Sequence, residues 1–170
     1  MNSKLPEEYE PFEAFLLIGT NIGQRVDNLQ KAKTYLTKFD IKITKASSVY
    51  ESAAWGIENQ NDFLNQVLKI ETQMGPWELL ETALSVEKKM GRQRKEKWAE
   101  RIIDIDILYF DEVIIKSFDL QIPHPGIPDR KFTLEPLCEI AGDMVHPDSG
   151  FTQKELLKQC RDELWVRKFS

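Results

Sequence analysis

The sequence predicts an α+β domain with a βαββαβ core, and three observations predict it. Apolar residues alternate with period two in four segments and recur at helical spacing in two others, in the order strand, helix, strand, strand, helix, strand. The 170 residues, 41% of them apolar, suffice for one full core and are too few for two large ones. No repeat, linker or low-complexity stretch breaks the pattern, so a single domain is expected over residues 13–170. The start, "MNSKLPEEYEPF", is acidic and polar, unlike a signal peptide, and residues 1–12 are expected to form a flexible extension.

Each element has a local reason. "EAFLLIG" is a short apolar run closed by Gly19, a buried strand. "GTNIG" then turns the chain into "QRVDNLQKAKTYLTKF", where Val26, Leu29, Ala32 or Lys33, and Leu36 share a helical face. Gly19 and Gly23 resemble a phosphate loop, but the Gly-Lys-Ser/Thr ending is absent and a tight strand-to-helix turn explains them better. A second strand is expected over Ile41 to Tyr50. The polar loop "ESAAWGIENQN" leads to a third over Asp62 to Thr72, with Leu64, Leu68 and Ile70 on one face and Phe63, Asn65 and Val67 on the other.

"GPWELLETALSVEKKMG" is the clearest helix. Pro76 suits its first position, Glu78 and Glu81 the positive end, Lys88 and Lys89 the negative end, and Gly91 its termination. Leu79, Leu80, Ala83, Leu84 and Met90 supply the apolar stripe. The fourth strand, "RIIDIDILYF", is followed by "DEVIIKSFDLQIP" as a hairpin, the proline-dense loop "HPGIPDR", and a helix over "FTQKELLKQC". Two apolar helices on one face of an antiparallel sheet make a ferredoxin-like sandwich, with function on the face they leave uncovered.

Composition excludes several classes. Apolar runs fall well short of the roughly 20 residues that a membrane helix needs. Cys138 and Cys160 lack metal-ligand spacing and are too few for a disulfide framework, so a reducing, cytoplasmic setting is expected and both read as packing residues. A net charge of −5 argues against general nucleic-acid binding. Its distribution is uneven: "RQRKEKWAER", Arg92 to Arg101, has five basic and two acidic residues, a local +3 that leaves −8 elsewhere.

Directly after this island, Asp104 and Asp106 lie two apart on an apolar strand and therefore point the same way, with Leu108 and Phe110 expected to continue their face. Carboxylates about 6 Å apart repel by about 3 kcal/mol at an effective dielectric near 20, which a divalent cation would relieve. Carboxylate oxygens suit magnesium, which completes its shell with water and substrate phosphates. Arg92, Arg94, Arg101 and Arg130 are then candidates for phosphate oxygens, the equipment of phosphoryl transfer. Phe63, Trp98 and Phe132 can stack on a flat heterocycle whose edge Asn65 reads, and His124, between prolines, either meets a phosphate or shapes a turn. His146 reads as structural.

In order, "FLLIGTNIGQRVDNL", "SSVYES", "NDFLNQVLKIET", "EKKMGRQRKEKWAERIIDIDILYFDEVI", "IPHPGIPDRKFTLEPLCEIA" and "HPDSG" resemble the 6-hydroxymethyl-7,8-dihydropterin pyrophosphokinases of folate biosynthesis, over roughly Glu13 to Cys160. The resemblance implies transfer of pyrophosphate from ATP to the pterin hydroxymethyl group, with release of AMP. It implies that Asp104 and Asp106 hold two magnesium ions bound with ATP, that Arg92 and Arg94 belong to a catalytic loop closed by Trp98, and that Arg101, His124 and Arg130 contact ATP. Ser52, Ala53, Trp55, Phe63, Asn65, Trp98, Asp104 and Phe132 are the implied pterin-binding positions. Phe63 stands where a tyrosine is common, "SAAWG" replaces a proline-bearing loop, Leu84 takes the place of a polar ATP contact, and the basic loop is one residue shorter than in a bacterial form.

The implied partners are ATP and the pterin, with no nucleic acid or membrane and with association to other folate-pathway enzymes as an option. Two rivals remain at this stage: another magnesium-dependent, nucleotide-hydrolysing enzyme with water as acceptor, and a non-catalytic module stacking single-stranded RNA on Phe63 and Phe132.

Overall fold

The structure is a computed structural model that describes residues 10–55, 60–92 and 100–170. Its elements run β1 (Phe12–Thr20), α1 (Arg25–Thr37), β2 (Lys42–Ala46), β3 (Tyr50–Ser52), β4 (Phe63–Thr72), α2 (Pro76–Lys89), β5 (Asp104–Phe110), β6 (Ile115–Lys116), β7 (Gln121–Ile122), α3 (Lys131–Ala141), α4 (Gln153–Gln159) and β8 (Val166–Lys168). The main sheet is antiparallel in the order β5-β1-β4-β3-β8, with β2 pairing the far half of β4. This is the ferredoxin-like order, with β1 and β4 central and both helical crossovers on one face.

The single strand expected over Ile41 to Tyr50 is divided. Ser47 lies between β2 and β3, where its amide donates to the Val67 carbonyl (2.9 Å) and its hydroxyl accepts from the Val67 amide (3.0 Å). A side-chain oxygen thus replaces one rung of the ladder, and the edge strand jogs there without leaving a backbone group of Val67 unpaired.

Leu29, Ala32 and Leu36 of α1 and Leu79, Ala83 and Val86 of α2 pack on Leu16, Ile18, Leu64, Leu68, Ile105 and Ile107. Proline at the first turn of α2, Glu78 at its start and Lys88 and Lys89 at its end agree with the expected polarity. Leu84, assigned to the buried stripe, is 36% exposed, and Val86 takes the buried position instead.

The second face carries its own core. Phe15, Leu17, Val67, Leu108 and Tyr109 meet Leu134 and Leu137 of α3 and Leu156 of α4. Helix α3, with Pro136 inside it, has no counterpart among the expected elements. These helices cover the apolar half of the face and leave its polar end accessible. The β6–β7 hairpin and the α4 helix behind the core match the expected C-terminal elements, and a capping box between Thr152 and Glu155 starts α4. Strand β8 is an addition.

One register detail corrects the reading of the acidic strand. Phe15 pairs with Tyr109 and Leu16 with Ile107, so Leu108 forms a bulge in β5. Beyond it the faces exchange: Leu108 and Tyr109 continue the side of Asp104 and Asp106, while Phe110 turns to the α1/α2 core.

Candidate active site

The site begins with strand register. Gly19 of β1 lies opposite Asn65 of β4 on one side and Asp104 of β5 on the other, while Leu17 lies opposite Asp106. The two acids and the amide therefore share the polar end of the second face. A Cβ at Gly19 would stand 2.8 Å from Asn65 Oδ1, so the glycine serves close approach of this side chain and not a phosphate loop.

Asp104 is enclosed by cations. Arg92 Nη1 donates to its Oδ1 at 2.5 Å, Arg101 Nη1 pairs with its Oδ2, and Arg92 Nη1 also pairs with Glu87. Glu87, 3% exposed, accepts from the Ile105 amide at 2.8 Å. Burial, followed by the neighbouring Asp104 charge, pushes the Glu87 carboxyl upward against the opposing pull of Arg92. Asp106 is also pushed upward, first by desolvation and then by Asp104, although its side chain keeps 33% of its surface accessible. Each negative charge here raises the cost of the next.

His124 approaches Asp106 Oδ2 with its Nε2 at 3.9 Å, too far for a hydrogen bond. Burial and the Arg130 charge hold its pKa near 4, so the imidazole is neutral at physiological pH. Its Nδ1 accepts from the Gly126 amide at 3.0 Å, which leaves the proton on Nε2, facing the acids as a donor. The His124 amide is fixed to the Leu108 carbonyl (2.9 Å), so the bulged strand itself places this ring. Beyond His124 a cleft of about 490 Å³ opens toward Lys116, Gln121, His146 and Asp148; neither Asp104 nor Asp106 lines it.

A second group adjoins the acids. The Arg130 guanidinium lies 5.0 Å from the Trp55 ring centre and 6.0 Å from that of Phe132, and a Cβ at Gly126 would collide with it at 2.7 Å. A flat cation thus sits against the aromatic surfaces to which a heterocycle was assigned. In a third group, Asn65 (3% exposed) donates through Nδ2 to Ser52 Oγ at 3.0 Å, next to Phe63 and Ala53.

Of the sequence-derived site residues, the structure gathers Asp104, Asp106, Arg92, Arg101 and His124 into one cluster, Arg130, Trp55 and Phe132 into a second, and Asn65, Ser52, Ala53 and Phe63 into a third. Arg94 and Trp98 lie outside the described residues. Sequence reasoning missed Glu87, which looked like one more charge on an amphipathic helix. It also missed Asn21, whose Oδ1 accepts from the Arg101 amide (2.7 Å) and whose own amide donates to the Arg101 carbonyl (3.0 Å). "GTNIG" offered the one signal for Asn21, a polar residue buried beside a turn.

Among the described residues no three His, Cys, Asp or Glu side chains form a metal-ligand group. Two carboxylates with a partly open Asp106 fit a hard cation of the magnesium type, which takes few protein ligands and shares its shell with phosphates.

Comparison with known proteins identifies relatives of the chain. A family model described as 7,8-dihydro-6-hydroxymethylpterin-pyrophosphokinase (HPPK) matches residues 15–142. The chain is 41% identical over 155 residues to the 2-amino-4-hydroxy-6-hydroxymethyldihydropteridine pyrophosphokinase of Aquifex aeolicus, covering 91% of this chain and 94% of that one. It is 40% identical over 158 residues to the protein of the same name from Bacillus subtilis, covering 92% and 95%. Among solved structures, wild-type Plasmodium falciparum HPPK-DHPS superposes with a TM-score of 0.71 at 16% identity, covering 90% of this chain. The chain spans 45% of that longer protein, and the likeness speaks for the fold alone.

Proposed function

Because the chain belongs to the 7,8-dihydro-6-hydroxymethylpterin-pyrophosphokinase family, we propose that its polar sheet end is the site at which ATP and the pterin meet. The activity is transfer of pyrophosphate from ATP to 6-hydroxymethyl-7,8-dihydropterin, giving the pterin diphosphate and AMP, in folate biosynthesis. The observation that carries the assignment of the site is the pairing of Asp104 and Asp106 on one face, with Asp106 held at a charge cost that a cation would offset and with Arg92 and Arg101 converging on Asp104.

In this reading Asp104 and Asp106 would hold magnesium, two ions with ATP, and the metal would supply charge neutralisation at the phosphates. Arg92, Arg94, Arg101 and Arg130 pair with phosphate oxygens through forked, charge-assisted hydrogen bonds, and neutral His124 donates its Nε2 proton to another. Phe63, Trp55, Trp98 and Phe132 present ring surface to the pterin, Asn65 reads its edge, and Ser52 and Ala53 meet it from β3. These contacts hold the hydroxymethyl oxygen for in-line attack on the β-phosphorus, so that positioning and charge stabilisation supply most of the rate.

Residues 13–170 act as one domain in the cytoplasm; among the described residues no helix is long and apolar enough to cross a membrane. The "HPPK-DHPS" solved structures and a Schizosaccharomyces pombe "Folic acid synthesis protein fol1", of which this chain matches 18%, support association with another folate-pathway enzyme.

The test is to mix the protein with ATP, magnesium and the hydroxymethyl dihydropterin and to follow nucleotides. AMP formed only when pterin is present supports the reading. ADP, or hydrolysis without pterin, favours a nucleotide hydrolase; salt-sensitive RNA binding without ATP consumption favours the RNA module.

A further inference from the structure

We propose that the C-terminal strand β8 is a positioning element for the pterin loop, acting through Arg167 and the buried carboxylate of Glu51; this rests on the assignment of Ser52, Ala53, Phe63 and Asn65 to the pterin.

Glu51 lies in β3 immediately before Ser52, pointing to the opposite face of the sheet, and is 7% exposed. Its Oε1 accepts from Arg25 Nη2 of α1 at 3.1 Å, and its Oε2 accepts from Arg167 Nη2 and Nε of β8 at 2.7 and 3.2 Å. Arg25 extends the link, since its Nη1 donates to the Asp62 carbonyl at 2.8 Å, one residue before Phe63. One carboxylate therefore fixes both stems of the loop: the outgoing stem at Ser52 and, through Arg25, the returning stem at Asp62.

Strand β8 holds the same stem by its backbone. Glu51 lies opposite Arg167 and Ser52 opposite Val166, the Ala53 amide donates to the Trp165 carbonyl (3.4 Å), and the Phe169 amide donates to the Val49 carbonyl (2.9 Å). Pairing on both sides holds the backbone of Ser52, whose hydroxyl accepts from Asn65 Nδ2 on β4. None of these groups touches the acid pair, so the clamp should govern the pterin and leave the nucleotide alone.

The test uses the full chain with Arg167→Met, which is safe for folding because the Arg167 side chain is 69% exposed, together with Arg167→Lys and Glu51→Gln. Pterin affinity is read by fluorescence titration in magnesium and a non-hydrolysable ATP analogue, nucleotide affinity by calorimetry, and kcat at saturating pterin. Arg167→Met should weaken pterin about 3- to 10-fold, the scale of one partly exposed ion pair, with nucleotide affinity and kcat within about twofold. Arg167→Lys should recover most of the loss, and Glu51→Gln should exceed it. Unchanged pterin affinity in Arg167→Met overturns the proposal, whatever Glu51→Gln does, as does a parallel fall in pterin and nucleotide affinity. A wild-type protein that binds the nucleotide but no pterin overturns the site assignment itself, a result distinct from either.

Discussion

Gly19→Ala places a methyl group in the site without touching any charged residue. Its Cβ would stand 2.8 Å from Asn65 Oδ1, while the next atoms, the Leu64 carbonyl oxygen and Phe63 Cδ1, are both 3.8 Å away. The Leu64 carbonyl and the Phe63 ring tolerate the methyl; the amide does not. Asn65 is 3% exposed and its Nδ2 is engaged by Ser52 Oγ at 3.0 Å, so turning the amide away breaks a buried hydrogen bond and misdirects the group assigned to the pterin edge. Each such bond is worth about 1–3 kcal/mol when its partner stays buried, and about 1.4 kcal/mol corresponds to a tenfold change. Pterin should therefore bind about 10- to 100-fold more weakly, with nucleotide affinity unchanged. Fluorescence titration with pterin in magnesium and a non-hydrolysable ATP analogue measures the first quantity, and calorimetry the second. In an Asn65→Ala background the same glycine substitution should cost almost nothing further, because the clash is gone. Full pterin affinity in a folded Gly19→Ala protein, or undiminished cost in the double variant, refutes the reasoning.

Other perturbations probe separate parts of the site. Asp106→Asn should lower kcat/KM by about 100-fold or more while leaving the melting temperature equal or higher, since one of two repelling charges is removed; normal turnover would contradict its role. Glu87→Ala strands the Ile105 amide and takes one carboxylate from Arg92, so it should destabilise by about 3 kcal/mol, on the order of 10 °C in Tm, with Glu87→Gln much milder because it keeps an acceptor; equal losses in the two would show that the hydrogen bond is irrelevant. Burial pushes Glu139 up, but the Tyr50 hydroxyl, Ser48 and Lys168 outweigh it and hold the carboxyl at about 2. A lowered acid contributes stability above its ordinary pKa of about 4.5 and loses it as pH falls toward 2, so denaturant unfolding of wild type should weaken from pH 5 to pH 3 by on the order of 1 kcal/mol more than that of Glu139→Gln, after screening at this partly exposed site. Parallel pH dependence in the two proteins would exclude the Tyr50–Glu139 contact as the cause.

The sequence announces those features whose cause is local. The apolar run ending at Gly19, the Pro76-to-Gly91 helix and the alternation Ile103-Asp104-Ile105-Asp106 carry their own periodicity, and the structure places each as the spacing requires. What stays hidden depends on partners far along the chain. The Leu108 bulge arises only when β5 pairs with β1, and it sends Phe110 to the face that strict alternation denies it. Strand β8 is three residues long and exists because β3 offers an edge more than a hundred residues earlier. Glu87 and Glu51 look like ordinary surface charges until the fold buries them against arginines. Gly19 reads as part of a tight strand-to-helix turn, but it lies within β1, and the side chain that requires a glycine there, Asn65, is a neighbour only in the sheet.

The claim on which the site assignment rests is that Asp104 and Asp106 share a divalent cation with the nucleotide. Manganese, a paramagnetic substitute for magnesium, can be titrated into the protein with a non-hydrolysable ATP analogue and the free ion counted by electron paramagnetic resonance. The wild-type complex should sequester manganese beyond what the analogue binds alone, and Asp104→Asn/Asp106→Asn should lose that excess while still folding. An unchanged excess in the double variant would contradict the assignment and move the cation, and the phosphates with it, elsewhere on the protein.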